Sequence, residues 1–147
     1  MKKLILTAAA VSTLAFSHAS IAAYPEKSIR LVVPFATGGT SEIIARSVAN
    51  SLSTSLGQSV YVDNKPGGAG NIAMEEVKRA KPDGYTLILG HVGTLAVNPA
   101  LFGNKLPYDP NKDFVPITLV AKVPNVIAVS SKSANKTLAD FVADAKK

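Results

Sequence analysis

Ser28-Ile-Arg-Leu-Val-Val-Pro-Phe-Ala-Thr-Gly-Gly-Thr-Ser-Glu-Ile-Ile-Ala-Arg46 reads as a buried strand, a turn built on Gly38-Gly39, and a helix opened by Thr40 or Ser41. The apolar run over Ile29–Val33 suits a strand covered on both faces, and Pro34 with the glycines ends it. A helix that starts from such a turn leaves main-chain N–H groups without partners, with the positive end of the helix dipole behind them. That corner suits anions, carboxylates above all. Two adjacent glycines let a ligand approach the backbone closely. An ordinary turn with an N-cap fits the same residues, and Glu42 then reads as a first-turn acid favoured by the dipole rather than as a catalytic acid.

The pattern continues downstream. Over Ser41 to Leu56, Ile44, Val48 and Leu52 lie four apart with Ala45 and Ala49 beside them, one face of an amphipathic helix, and Gly57 is placed to close it. Ser59–Asp63 alternates like a strand. Asn64-Lys-Pro-Gly-Gly-Ala-Gly70 is a loop, and Asn71 can cap a helix running to Ala80. Lys81-Pro-Asp-Gly84 is a turn, followed by a third strand over Tyr85–Leu89. Strand, helix, strand, helix, strand is the alternation of a parallel sheet with helices on its faces, so the predicted class is α/β. Ligands of such sheets bind beyond the carboxyl ends of the strands. The loops Phe35–Ser41, Asn64–Asn71 and Gly90–Thr94 leave those ends, and all are rich in Gly, Ser, Thr or Asn. After Asn98-Pro99 an irregular stretch is expected, then strands over Asp113–Val120 and Val126–Val129, then a helix capped by Thr137 with Leu138, Phe141, Val142 and Ala145 on one face.

Upstream, Met1-Lys2-Lys3, the apolar run Leu4 to Phe16 and the small residues Ser17 to Ala23 form the three parts of a secretory signal, with cleavage expected after Ala22 or Ala23. The apolar run is short for a membrane span, which needs about 20 residues. A mature protein exported to the periplasm without membrane insertion is therefore expected.

Composition narrows the chemistry. The absence of cysteine removes thiol catalysis, disulfides and cysteine-based metal sites. Lys plus Arg number 16 against 10 Asp plus Glu, two of the lysines lie in the leader, and the rest are scattered, so no nucleic-acid surface is expected. His91 is the one histidine outside the leader; no residues at ligand spacing accompany it, and no G-x-S-x-G elbow occurs. Gly68-Ala-Gly70-Asn-Ile-Ala73 fits a dinucleotide pattern, yet Pro66-Gly67 lengthens its turn and no acid follows Leu89-Gly90. No metal and no cofactor are expected.

Tyr24 to Arg46, Leu56-Gly-Gln58, Val62-Asp-Asn-Lys-Pro-Gly-Gly-Ala-Gly-Asn71, Pro82-Asp-Gly-Tyr-Thr-Leu87, Asn98-Pro99, Leu106-Pro-Tyr-Asp-Pro110 and Asp113-Phe114 together resemble, in order, the Bug-type solute receptors of tripartite tricarboxylate transporters. The resemblance implies a type II periplasmic binding protein fold, a Venus flytrap of two α/β lobes around a cleft. Residues 1–22 would be the signal peptide, 23–113 an incomplete first lobe, and 114–147 the hinge crossing and the start of a truncated second lobe. The implied function is capture of a di- or tricarboxylate or related organic acid, without catalysis, by a monomer that delivers it to membrane permease subunits. The implied ligand set is Phe35, Thr37, Gly38, Gly39, Thr40, Ser41 and Glu42 from the first loop, Asn71 from the second, and His91, Gly93 and Thr94 from the third. The family usually carries Asp where Glu42 stands. The alternative reading is an exported hydrolase of acyl or phosphate esters that uses the same corner, with His91 as its base.

Overall fold

The computed structural model describes residues 24–124 and 126–147; the signal-peptide reading of 1–22 lies outside them. The chain divides into two compact units, one reaching Pro116 and the other spanning Ile117–Lys147.

In the first unit, β1 (Ile29–Val33), β2 (Val60–Asn64) and β3 (Thr86–Ile88) form a parallel sheet in the order β2-β1-β3. Ile29 pairs with Val60 and Arg30 with Thr86, so the first strand is the central one, as its apolar run requires. Helix α1 (Thr40–Leu56) packs on β1 and β2. Ile29, Leu31 and Val33 meet Ala45, Ala49 and Val60 there, with Leu52, Leu56, Val62, Tyr85, Leu87 and Leu89 around them. The buried stripe of α1 runs through Glu42, Ala45 and Ala49, rotated slightly from the line through Ile44 and Val48. Small alanines let the helix approach the sheet, and the glycine at the helix end, Gly57, closes it in the left-handed conformation (φ 65°) with its N–H on the Ser53 carbonyl.

Helix α2 (Asn71–Lys78) packs on β1 and β3 from the other face, where Val32, Ala73 and Met74 are fully buried. Arg30 points to that face and joins Asp63 (2.8 Å) and Glu76 (2.5 Å), tying both outer elements to the central strand. Beyond β3 the chain turns through a π-helical stretch, Gly93–Val97, into the short helix α3 (Asn98–Phe102) and a 3₁₀ turn, Gly103–Lys105. The irregular stretch expected after Asn98-Pro99 thus begins one helix later.

The strands expected over Asp113–Val120 and Val126–Val129 do not form. A strand needs a neighbour to satisfy its N–H and C=O groups, and among the described residues none pairs with either run. Val115 and Val126 are 89% and 90% exposed, and the Asp113 carboxylate instead binds the Asp109 N–H and Lys78. In the second unit, α4 (Leu138–Ala145) opens on a capping box: the Asp140 N–H donates to the Thr137 hydroxyl, and the Thr137 N–H to the Asp140 carboxylate. No described helix is long and apolar enough to cross a membrane.

Candidate functional site

The three loops at the carboxyl ends of the strands converge. Asn64 donates from Nδ2 to the Phe35 carbonyl (2.9 Å), joining the second loop to the first. The Phe35 ring meets the His91 ring edge-on, 5.1 Å between centroids, joining the first to the third. Gly70 is wedged between both: a Cβ there would lie 2.6 Å from the Thr94 methyl and 3.3 Å from Pro34 Cβ, and its φ of +87° is itself glycine territory.

The first loop delivers the expected corner with one change of detail. Gly39, not Thr40 or Ser41, is the N-cap, extended at φ −87°, and no side chain caps the helix there. Thr40 and Ser41 fall in the first turn instead. The Glu42 and Ile43 N–H groups both turn back to the Gly39 carbonyl (3.1 and 3.2 Å). Among the described residues, none accepts from the amides of Gly39, Thr40 or Ser41. Gly38, at φ +90°, donates its N–H to Glu42 Oε2 at 2.5 Å. Glu42 Oε1 in turn binds Arg46 (2.8 Å from Nε), one turn along the helix. The Gly38 N–H, and after it Arg46, hold the Glu42 carboxyl below its ordinary range, so it stays ionised. Phe35 is half-buried; Thr37, Gly38, Gly39 and Thr40 are exposed.

The second and third loops are fixed by a buried polar network. Asn71 was expected to cap α2, but Gly70 takes that position and Asn71 opens the helix with its carboxamide turned inward. Its Oδ1 accepts from Asn98 Nδ2 (2.7 Å) and lies 3.1 Å from the Tyr108 hydroxyl. Asn98 also donates to the Ala69 carbonyl (3.0 Å). Tyr108, 4% exposed, donates to the Thr94 carbonyl at 2.6 Å; its burial pushes the phenol pKa up, so it remains a neutral donor. The buried Thr94 hydroxyl accepts from the His91 N–H and donates to the His91 carbonyl. Asn71 and Thr94 therefore spend their side chains on shaping the loops.

His91 is exposed, and its Nδ1 accepts from the Gly93 N–H at 3.0 Å. With Nδ1 accepting that bond, Nε2 is the ring nitrogen left to donate, in a ring packed edge-on against Phe35. The hydroxyl bonded to His91 is that of Thr94, through the backbone and not the ring. Among the described residues there is no cluster of His, Asp or Glu that could hold a metal ion. What the cluster offers is donors: three main-chain amides at a helix start and one imidazole N–H. The sequence reading missed Asn98, Tyr108 and Arg46 as parts of this site. Arg46 was legible from its spacing of four residues from Glu42; the other two join the site only through the tertiary fold.

Residues 44–147 match the family model of the tripartite tricarboxylate transporter family receptor. A UPF0065 protein of Bordetella bronchiseptica is 40% identical over 146 residues, covering 99% of this chain and 43% of that protein. The chain spans well under half the length of the curated relatives it matches. Among solved structures, a Rhodopseudomonas palustris protein with adipate is 40% identical, with a TM-score of 0.77 over 84% of this chain and 41% of the other. MatC of the same organism, with bound malate, is 36% identical, with a TM-score of 0.77 over 84% and 42%. The periplasmic binding protein BugD is 45% identical, with a TM-score of 0.60 over 64% and 31%.

Proposed function

We propose, because the chain belongs to the tripartite tricarboxylate transporter receptor family, that it is a periplasmic receptor that captures a small di- or tricarboxylate or related organic acid. The observation that carries this reading is the row of three amides at Gly39, Thr40 and Ser41 that have no partner among the described residues, set at a helix start where anions are favoured. Two structural neighbours hold dicarboxylates, adipate and malate, which is the ligand chemistry such a row suits. Export to the periplasm accords with the leader at residues 1–22 and with the likeness to BugD.

In this reading, residues 23–113 belong to the first lobe and 114–147 to the hinge crossing and the start of the second. The ligand's acid group sits on the first loop, and His91 supplies a further donor through Nε2. Closure of the lobes follows from contacts that the ligand makes better in the closed state than in the open one. The protein acts as a monomer, performs no chemistry, and hands its ligand to membrane permease subunits of the transporter.

Gly39→Val tests the site. A Cβ at Gly39 meets only the Ala36 carbonyl, at 4.0 Å, and φ is ordinary, so a Cβ adds no backbone strain there. Titration calorimetry with a panel of organic acids is expected to show a dicarboxylate bound by the wild type and weakened by roughly tenfold or more in the variant, a loss readily resolved against the usual affinity scale. Unchanged affinity in the variant, or no acid bound by the wild type, contradicts the assignment.

A further inference from the structure

We infer that Glu42 is a positioning residue for the carboxylate site: it pins Gly38 so that the amides of Gly39, Thr40 and Ser41 face the ligand, and it does not itself touch the ligand. The inference rests on the carboxylate-corner reading above and assigns a role within it.

Three observations carry it. Glu42 is buried, 7% exposed, although it sits in the first turn of a surface helix. Both of its oxygens are already engaged, Oε2 by the Gly38 N–H at 2.5 Å and Oε1 by Arg46. Gly38 stands at φ +90° in the turn at Thr37-Gly38, with nothing within 4 Å of where a Cβ would be. Its N–H is held by the Glu42 carboxylate, and the amides of Gly39, Thr40 and Ser41 follow directly along the chain.

The chemistry disfavours direct contact between the two acid groups. An ionised carboxylate has no proton to give, so a ligand acid group placed against it would meet like charge without a bridging donor. The ligand therefore takes the amides that Glu42 leaves open. A carboxylate at this position also completes half of a capping box displaced by one residue: it reaches back past the N-cap Gly39 to the amide before it.

Two near-isosteric variants separate positioning from simple helix stabilisation. Glu42→Gln keeps an oxygen that can accept the Gly38 N–H, and Glu42→Met keeps the volume without one. Calorimetry with adipate and malate, well below both melting temperatures, is expected to find the Gln variant within about threefold of the wild type and the Met variant weaker by roughly tenfold or more, the scale of one lost hydrogen bond to a charged group. Equal affinity of Met variant and wild type overturns the inference, and so does equal loss in both variants. A wild type that binds no acid of the wider organic-acid panel overturns the carboxylate reading itself. Amide hydrogen exchange on the wild type gives a second readout that needs no variant to fold. Gly38 should be protected with and without adipate, while Gly39, Thr40 and Ser41 gain protection only with it. Release of the Gly38 amide on adipate binding would show Glu42 displaced by the ligand and end the inference.

Discussion

Replacing Gly70 with Ala should destabilise the first unit well beyond what backbone strain alone would cost. Two costs combine. The backbone stands at φ +87°, where an L side chain costs about 1–2 kcal/mol. The new Cβ would also lie 2.6 Å from the Thr94 methyl and 3.3 Å from Pro34 Cβ. Thr94 cannot rotate away cheaply, because its hydroxyl is bonded at both ends to the His91 backbone. Overpacking of this kind costs about 1–3 kcal/mol. Reduced freedom of the unfolded chain returns about 0.4–1 kcal/mol. The net expectation is about 1–5 kcal/mol of lost stability. Gly38→Ala is the control, since φ is +90° but nothing lies within 4 Å, so strain acts without the clash. Equilibrium urea unfolding followed by tyrosine fluorescence reports on the right unit, because there is no tryptophan and Tyr24, Tyr61, Tyr85 and Tyr108 all precede Ile117. A Gly70→Ala variant no less stable than Gly38→Ala would show that the loops are not wedged together at Gly70.

Tyr108→Phe removes the hydroxyl that donates to the Thr94 carbonyl and contacts Asn71. A buried acceptor left unpaired costs about 1–3 kcal/mol, to be read as a lower urea midpoint at unchanged slope. Glu42 should give the protein an acid-sensitive contribution. Its folded pKa is depressed by the Gly38 N–H and Arg46, so the stability it adds is complete above its ordinary value of 4.5 and is lost as pH falls through the lower folded value. The stability difference between wild type and Glu42→Gln should therefore shrink below that pH; a difference that stays constant on acidification contradicts the ionised, hydrogen-bonded carboxylate.

The order of strands and helices in the first unit was legible because its signals are local: apolar runs of strand length, punctuated by Pro34, Gly57 and Pro82-Asp-Gly84. The meeting of three loops followed from that order by the geometry of parallel sheets. What is not local was misread. Asp113–Val120 and Val126–Val129 have strand composition, but a strand exists only when another pairs with it. Thr40 and Asn71 have capping side chains, yet Gly39 and Gly70 hold the cap positions. At the first helix the back-bonding comes from Glu42, and at the second Asn71 is drawn inward by Asn98 and Tyr108, 27 and 37 residues away along the chain. Which members of the expected ligand set face outward and which brace the loops depends on those distant partners, and spacing along the chain carries no trace of them.

The amides of Gly39, Thr40 and Ser41 are where the account stands most exposed. In a nitrogen-15 spectrum recorded during an adipate titration, these three amide resonances should move most, saturating together with the calorimetric binding curve. Saturable adipate binding that leaves all three unmoved, with the shifts gathered elsewhere in the protein, would place the acid group on another surface and contradict the account.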